Sequence, residues 1–293
     1  MNVQVQDDWL LYTDIEPFNL DRTLGSGQTF RWIRKGKGYE GFVKGSLIEV
    51  RQQEGVLWAR TFPVALDREL IENYFSLRFP LRKALIELAK DEQLAGALHR
   101  QAGIRILHQE PWECLASFIL AINKSIPQIE KTIGALCEKL GRKIRAGRRT
   151  FSLFPTPEMI ATAPEGVLRA TKMGFRARYL RAAAEKLIRD QIDLVQYSQV
   201  TYAEARSALM DFYGIGPKVA DCICLFALGH QDAFPVDVWI QRVMEQYGSK
   251  TRSNPARIQE IAKARFGHYA GLAQQYLYHD IRCRVRSRSR KGG

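Results

Sequence analysis

The stretch Tyr213-Gly-Ile-Gly-Pro-Lys-Val-Ala-Asp-Cys-Ile-Cys-Leu-Phe-Ala-Leu228 combines a glycine turn, a proline and a mostly apolar segment. Gly214 and Gly216 permit a tight turn after a preceding helix. Pro217 suits the first position of a new helix, because its missing N–H would be unpaired there anyway. The pattern predicts two helices joined by a hairpin, with Lys218 in the first turn of the second helix.

Such a hairpin is suited to holding a phosphate group. The unpaired N–H groups of a helix N-terminus attract anions, and glycines let a nucleic-acid backbone come close. Gly214, Gly216 and Val219 are therefore candidate contacts to a DNA backbone. For the glycine pattern alone, an ordinary tight connection between two helices remains the alternative.

Lys218 is the more informative residue of this stretch. The helix that follows is apolar around most of its circumference, which predicts burial. Burial and the positive end of the helix dipole both disfavour a charge on Lys218, so we expect a neutral amine. A neutral amine is a nucleophile and can form a Schiff base. Cys222 lies one helical turn on, on the same face. The alternative is a lysine with a solvated ammonium group, paired with Asp221.

A second helix start follows at Phe234-Pro-Val-Asp-Val-Trp-Ile240, where Asp237 is placed to cap the helix. A capping carboxylate accepts backbone N–H groups, so we expect Asp237 to be ionised and fixed. It could then stabilise positive charge that develops on a sugar ring. A purely structural cap is the alternative. The functional interpretation depends on whether Lys218 and Asp237 share one site.

The charge distribution indicates a nucleic-acid partner. The chain has 293 residues and a formal net charge of +13. Residues 1–95 carry a net charge of −1, so the remaining residues carry +14. A basic surplus confined to one part of a chain is typical of proteins that bind nucleic acid, whereas general solubility is the plainer explanation.

Cysteine usage and hydropathy exclude several classes of protein. The five cysteines are scattered without a CxxC pair, so we expect neither a zinc site nor a clustered iron–sulfur site, and no cofactor. An odd cysteine count without a secretory signal fits a reducing compartment. No apolar run approaches the roughly 18 residues that a membrane span needs. We therefore expect a soluble intracellular protein.

The pattern along the chain predicts an α+β protein. The first part mixes aromatic and β-branched residues with glycine turns and predicts an antiparallel sheet with strands at 28–32, 39–43, 46–51 and 56–60. Helical periodicity begins at Asp67 and continues as a multi-helix bundle that contains the helix–hairpin–helix at 202–228, with a basic loop at 143–149. We predict a sheet domain with flanking helices, a helical domain and a disordered basic tail, at 1–104, 105–280 and 281–293.

Together these segments resemble the helix–hairpin–helix DNA glycosylases, and in particular the Ogg-type 8-oxoguanine DNA glycosylase/AP lyases. The hairpin stretch followed by Pro235-Val-Asp-Val238 matches the signature of that family. The resemblance covers roughly residues 10 to 280. Further similar segments are 26–32, 113–119 with Asn123, 173–180, and 269–274 with Tyr278. The resemblance implies that the N-terminal sheet is TATA-binding-protein-like.

The resemblance also implies an activity. A base-excision repair enzyme of this family flips 8-oxoguanine out of duplex DNA, because the target bond is inaccessible inside the base stack. Lys218 would attack the sugar and expel the base, and the resulting Schiff base would permit β-elimination of the strand. Asp237 would stabilise the developing positive charge. The base pocket would be formed by Gly27, Cys222, Phe226, Gln274 and Tyr278.

Within that pocket the family assigns a separate task to each group. The Gly27 carbonyl would sense the N7 hydrogen that guanine lacks. Cys222 and Tyr278 would sandwich the flipped base, and Gln274 would bond its pairing edge. The opposite base and the gap left in the duplex would be contacted by Asn123, Gln128, Phe175 and Arg176.

Two departures from the family pattern bear on specificity. Animal and fungal members carry an arginine where this chain has Gln128, and that arginine helps to read the opposite cytosine. Its absence predicts a relaxed preference for cytosine. Trp239 stands where the family has a histidine, and Lys124 and Ser125 replace family asparagines.

Two other functions remain open at this point. A related glycosylase for alkylated bases would share the layout but lack the lysine. A non-catalytic helix–hairpin–helix DNA-binding protein would need neither Lys218 nor Asp237. For the enzyme we expect double-stranded DNA containing 8-oxoguanine as the partner, no membrane association and a monomeric state. We expect a cytoplasmic, nucleoid-associated location in a prokaryote and a nuclear one in a eukaryote.

Overall fold

The computed structural model describes residues 1–146, 149–246 and 254–291. Its N-terminal part is a six-stranded antiparallel sheet with the strand order β1-β2-β6-β5-β4-β3. The strands are β1 (Asn2–Gln6), β2 (Trp9–Thr13), β3 (Ile33–Lys35), β4 (Gly38–Val43), β5 (Ser46–Gln53) and β6 (Val56–Phe62). The predicted α+β class with an N-terminal antiparallel sheet is confirmed.

Helices form most of the remaining chain. They are α1 (Leu20–Gly25), α2 (Arg68–Tyr74), α3 (Leu81–Leu88), α4 (Glu92–Arg100), α5 (Pro111–Leu120), α6 (Ile126–Leu140), α7 (Pro157–Ala161), α8 (Glu165–Ala170), α9 (Arg176–Arg189), α10 (Tyr202–Met210), α11 (Pro217–Phe226), α12 (Val238–Gln246), α13 (Pro255–Phe266) and α14 (Ala270–Lys291). Short 3-10 turns lie at Leu194–Ser198 and Gly267–Tyr269. Among the described residues, no helix has the length and apolar character needed to cross a membrane.

The strand predicted at 28–32 is wrong, because this segment is a buried loop held by side-chain bonds. The Gln28 side chain donates to the Arg105 carbonyl at 2.9 Å and accepts from the Leu107 N–H at 2.8 Å. Gln109 Nε2 donates to the Gln28 carbonyl at 2.7 Å. These bonds replace the ladder of a sheet, and they join the loop to the segment that leads into the helices.

Two further local predictions are also wrong. The basic loop predicted at 143–149 contains an antiparallel hairpin of β7 (Lys143–Ala146) and β8 (Arg149–Ser152), in which Ile144 pairs with Phe151. The tail predicted to be disordered is helical as far as Lys291. Residues 272–291 contain no glycine or proline, and arginine is a good helix former, so nothing in the sequence ends α14 earlier.

The structure has two hydrophobic clusters. One lies between the sheet and helices α1 and α2, and the other fills the helical part. Helices α3 and α4 place their buried residues in the helical cluster, although they precede the predicted boundary at residue 104. That boundary stays a prediction. An ion pair of 3.0 Å between Arg31 and Glu113 joins the sheet side to α5.

Candidate active site

The hairpin before α11 has the geometry that its glycines predict. Gly214 has a φ of +86°, and a Cβ at this position would lie 2.4 Å from the Tyr179 ring, so only glycine fits. Gly216 caps α11, and its carbonyl accepts the N–H groups of Val219 at 3.1 Å and Ala220 at 3.0 Å. The hairpin thereby holds the start of α11, including Lys218, against the helical core.

Asp221 holds the same helix from its buried side. Its carboxylate accepts from the Tyr202 hydroxyl at 2.6 Å, from Arg206 Nε at 2.7 Å and from Gln259 Nε2 at 2.6 Å. These bonds join α10, α11 and α13. Asp221 is therefore occupied by structural partners, and the alternative in which it pairs with Lys218 is wrong.

The Lys218 side chain lies half-buried over an aromatic platform. Its ammonium group is 5.2 Å from the centre of the Phe118 ring, a distance at which a cation and a ring attract each other. Phe118 in turn stacks on Phe226 at 5.6 Å. Phe226, predicted to line the base pocket, thus supports the ring that Lys218 contacts. Phe118 was not predicted as part of the site.

Asp237 caps α12 as predicted. Its carboxylate accepts the N–H groups of Trp239 at 3.0 Å and Ile240 at 2.9 Å, and these two bonds fix its position. The field of Lys218 acts on this carboxylate, as does that of Arg282. The structure therefore places Lys218 and Asp237 in one site, on the first turns of two successive helices.

The electrostatics of this pair differ from the expectation. Burial lowers the pKa of Lys218, but Cys222, Asp237 and Tyr278 act in the opposite direction, and the pKa is raised above the usual 10.5. The direction is opposite to the predicted neutral amine, because that prediction considered burial and the helix dipole and left out Cys222 on the same helix and Asp237 and Tyr278 from elsewhere in the fold. Burial of Asp237 outweighs its N–H bonds and the Lys218 charge, so its pKa is raised above 3.8. A carboxylate of raised pKa beside an ammonium is suited to accepting that proton.

Helix α14 places further pocket residues beside this pair. Gln274 is only 4% exposed, and its Nε2 donates to the Pro235 carbonyl at 3.2 Å. Its Oε1 is buried and has no hydrogen-bond partner among the described residues, so it is available to accept from another molecule. Tyr278 follows one turn later and is half-buried. Burial raises the pKa of the Cys222 thiol to about 11, so the thiol is uncharged at neutral pH.

Gly27, in the loop after α1, lies beside the same part of α14. It has a φ of +84°, and a Cβ there would lie 2.7 Å from Arg282 Nη1 and 3.3 Å from Tyr278 Cε1. The preceding carbonyl of Ser26 accepts from Gln275 Nε2 at 3.1 Å. The loop before the buried segment is thus bound to α14 by residues almost 250 positions apart in sequence.

The segments predicted to contact the opposite strand form a second cluster, which we call the gap loops (residues 122–128 and 173–176). Arg176 is buried and donates to the carbonyls of Ile122 at 2.6 Å, Met173 at 3.0 Å and Asn123 at 3.3 Å. Three N–H donors of Arg176 are therefore bonded to backbone carbonyls of the gap loops. Phe175 is 52% exposed and packs on the Arg176 guanidinium at 4.4 Å, so its ring projects from the surface.

Gln128 is engaged within its own helix. Its Oε1 accepts from the Ser125 N–H at 2.9 Å and from the Ser125 hydroxyl at 3.0 Å, which forms a capping box at the start of α6. Its acceptor is thus used in the cap. The predicted contact of Gln128 with the opposite base stays a prediction.

Arg282 is a second site residue, after Phe118, that sequence reasoning missed. It fell in the segment predicted to be a disordered tail, yet it is 9% exposed and lies beside Gly27 and Tyr278. A spacing signal was present in the sequence. Gln274, Tyr278 and Arg282 are each four residues apart, which aligns them on one face of a continuous helix.

Comparison with known sequences identifies the family of this chain. The sequence matches two family models, the 8-oxoguanine DNA glycosylase N-terminal domain over residues 10–115 and the HhH-GPD superfamily base excision DNA repair protein over residues 116–267. It is 31% identical to the Methanothermobacter thermautotrophicus protein named "Probable N-glycosylase/DNA lyase", over 90% of this chain and 94% of that protein. The chain belongs to the HhH-GPD superfamily and, within it, to the N-glycosylase/DNA lyases.

Solved structures show the same relationship. The structure of MBOgg1 in complex with a low-affinity DNA ligand has a TM-score of 0.90 and 35% identity, over 96% of this chain and 98% of that one. The Clostridium acetobutylicum 8-oxoguanine glycosylase/lyase, solved with duplex DNA containing cytosine opposite 8-oxoguanine, has a TM-score of 0.91 and 29% identity, over 97% of this chain and 99% of that one. The similarity therefore extends over both the sheet and the helices.

Proposed function

We propose that this enzyme removes 8-oxoguanine from duplex DNA and then cleaves the abasic strand. The observation that carries the proposal is the placement of Lys218 beside the capping carboxylate of Asp237, next to a pocket with a buried, unpaired acceptor on Gln274. A non-catalytic DNA-binding protein would need none of these groups. The relatives named as N-glycosylase/DNA lyases and as 8-oxoguanine glycosylase/lyase support the same activity.

The residues of the site divide the chemistry between them. Lys218 transfers its proton to Asp237 and attacks the anomeric carbon, and the base leaves with the electrons of the glycosidic bond. Asp237 then passes that proton to the departing base and, ionised again, stabilises the positive charge that builds up on the sugar in the transition state. The Schiff base that follows draws electrons from the sugar, which makes the 2′ proton acidic and permits elimination of the 3′ phosphate.

Recognition of the base precedes this chemistry. The flipped base stacks between Cys222 and Tyr278, and the Gly27 carbonyl accepts the N7 hydrogen of 8-oxoguanine. Guanine has a lone pair at N7, so the same carbonyl repels it and the buried acceptor is left unpaired, which is costly. The Gln274 Oε1 accepts from the pairing edge of the base. All of these groups come from one chain, which supports a monomer acting alone on duplex DNA.

In this proposal the hairpin before α11 binds the phosphate backbone of the DNA. The N–H groups at the start of α11 have no side-chain cap, and both Gly216 and Pro217 are exposed there. This arrangement is suited to a phosphate. For cellular location we keep the proposal of the nucleoid in a prokaryote or the nucleus in a eukaryote, since the partner is genomic DNA.

Covalent trapping tests the proposal. We expect borohydride to trap the protein on duplex containing 8-oxoguanine opposite cytosine, and Lys218→Gln to abolish trapping and to lower the excision rate by about 10³-fold or more. Lys139→Gln, an exposed lysine of α6, is the control and should trap like the unaltered protein.

Two results would contradict the proposal in different ways. If the unaltered protein excises the base but is not trapped, the glycosylase part of the proposal stands and the lyase part is contradicted. Trapping by Lys218→Gln at the unaltered level would show that another amine is the nucleophile.

A further inference from the structure

Arg282 combines burial with a shortage of partners. It is 9% exposed, and its one hydrogen bond in the described part of the chain is a long one, from Nη1 to the Ser26 carbonyl at 3.4 Å. The neighbouring arginine of the same helix, Arg284, lies 3.8 Å from the Asp280 carboxylate and has a side chain that is 49% exposed. A guanidinium group carries five N–H donors, so most of those on Arg282 are not used by the protein.

The position of Arg282 places those donors at the base pocket. Its guanidinium lies over the Tyr278 ring, 5.0 Å from the ring centre. It also lies next to Gly27, because a Cβ on that glycine would be 2.7 Å from Arg282 Nη1. The field of Arg282 reaches the Asp237 carboxylate. Arg282 is thus surrounded by residues that the proposed function assigns to the flipped nucleotide.

The unused donors of Arg282 are not among the fully buried, unpaired side-chain atoms of the described residues, so they are open to an acceptor that comes within reach. Among the described residues, the Ser26 carbonyl is the one acceptor of a hydrogen bond from Arg282. An oxidised purine entering the pocket supplies one, because N7 of 8-oxoguanine is flanked by carbonyl groups at C6 and C8. The Gly27 carbonyl is a hydrogen-bond acceptor, and the Arg282 guanidinium beside it is a donor. They match the N–H at N7 and a carbonyl oxygen next to it.

We propose that Arg282 is a base-recognition residue that donates to a carbonyl oxygen flanking N7 of the flipped purine. This inference rests on the proposed excision of 8-oxoguanine and assigns a further contact to that site. Gly27 provides the discrimination against guanine, and Arg282 provides binding to the oxygen beside the atom that Gly27 reads. The ring of Tyr278 holds the guanidinium plane in place, as arginine commonly stacks on aromatic faces.

Single-turnover excision by Arg282→Met tests the proposal. Methionine keeps the apolar stem that packs on Tyr278 and removes all five donors. We expect excision of 8-oxoguanine to fall by roughly 10- to 100-fold, the loss of one charge-assisted hydrogen bond. Cleavage of a duplex with a preformed abasic site should stay within about threefold of the unaltered protein, because that substrate carries no base to recognise. Arg282→Lys keeps the charge and loses the planar guanidinium. Its excision rate for 8-oxoguanine should lie between those of the unaltered protein and Arg282→Met.

The control is Arg284→Met on the same helix, which should leave both rates unchanged. Equal losses in excision and in abasic-site cleavage by Arg282→Met would show that the residue acts through the fold or through Asp237, and would overturn the proposal. Unchanged or faster excision would show that the guanidinium only fills the pocket, and would also overturn it. If the unaltered protein does not excise 8-oxoguanine at all, the proposed function fails, and this inference fails with it.

A second substrate identifies the oxygen. 8-Oxoadenine keeps the carbonyl at C8 but carries an amino group at C6. In competition binding with duplex containing 8-oxoadenine, a weaker affinity of Arg282→Met than of the unaltered protein would assign the contact to O8. Equal affinities, together with the loss on 8-oxoguanine, would assign it to O6.

Discussion

The base pocket and the gap loops use their polar side chains in opposite ways. In the pocket, the Oε1 of Gln274 has no partner among the described residues, and Arg282 makes one long hydrogen bond. In the gap loops, Arg176 donates to three backbone carbonyls, and the Gln128 acceptor is used in a helix cap. Under the proposed function, this difference predicts that the pocket reads a base by hydrogen bonds, whereas the gap loops present a preformed shape to the opposite strand.

The largest expected effect concerns the pocket. Gln274→Met removes the unpaired acceptor while keeping a side chain of similar size, and leaves the Pro235 carbonyl without its donor. We expect kcat/KM for excision of 8-oxoguanine to fall by about 100-fold, because a buried polar edge of the base would be left unpaired. Cleavage at a preformed abasic site measured with the same variant is the internal control and should change little. Equal losses on both substrates would place Gln274 in the chemistry instead of in recognition.

An intermediate effect is expected at the gap loops, and it is one of stability. Arg176→Ala removes a buried guanidinium that bonds to the carbonyls of Ile122, Met173 and Asn123. We expect the free energy of unfolding, measured with urea, to fall by about 2 to 3 kcal/mol. The matched control is Arg178→Ala two residues later, an exposed arginine that stacks on the Tyr213 ring.

The stabilities of Arg176→Ala and Arg178→Ala can contradict this prediction. Stacking of an exposed Arg178 on a ring contributes less than about 1 kcal/mol, so its variant should unfold close to the unaltered protein. If Arg176→Ala were equally stable but lost affinity for duplex containing the lesion, Arg176 would act by contacting DNA, and the contrast with the pocket would disappear.

The smallest effect is expected at Gln128. Because its side-chain carbonyl caps α6 through Ser125, Gln128→Ala should cost about 0.5 to 1 kcal/mol of stability. The relative excision rates of 8-oxoguanine opposite each of the four bases should change by less than about threefold, since a side chain held in a cap does not read the opposite base. A tenfold loss of the preference for cytosine would mean that Gln128 leaves the cap on binding DNA.

Much of the fold and site could be predicted where the signal is local. Glycines at positions 214 and 216 followed by Pro217 predicted the hairpin, and Asp237 before an apolar periodic segment predicted a capped helix. The charge state of Lys218 could not be predicted in this way. Its pKa is lowered by burial and raised by Cys222, which is local, and by Asp237 and Tyr278, which lie 19 and 60 positions further along the chain and meet it only in the folded protein.

The strand predicted at 28–32 and the tail predicted after residue 280 failed for related reasons. The first has the residue types of a strand, but the Gln28 side chain finds backbone partners at Arg105 and Leu107, and these compete with sheet pairing. The second has the composition of a disordered charge run, but α14 continues through it because the helix already begins in the core. In the first case tertiary contacts outweighed a weak local preference, and in the second good helix formers extended a helix that begins in the core.

The sequence by itself determined the helix–hairpin–helix, the cap on α12 and the place of Lys218 in the first turn of α11, because turns, caps and helix starts depend on residues within a few positions of one another. Only the tertiary structure decided which of the polar residues are available to a substrate. The Gln274 Oε1 and most N–H donors of Arg282 have no partner among the described residues, whereas Arg176 donates to three backbone carbonyls and the Gln128 Oε1 accepts in a helix cap; the sequence does not distinguish these pairs. The physical reason is that a buried side chain bonds to whichever backbone groups the fold brings within reach, and those groups come from distant parts of the chain.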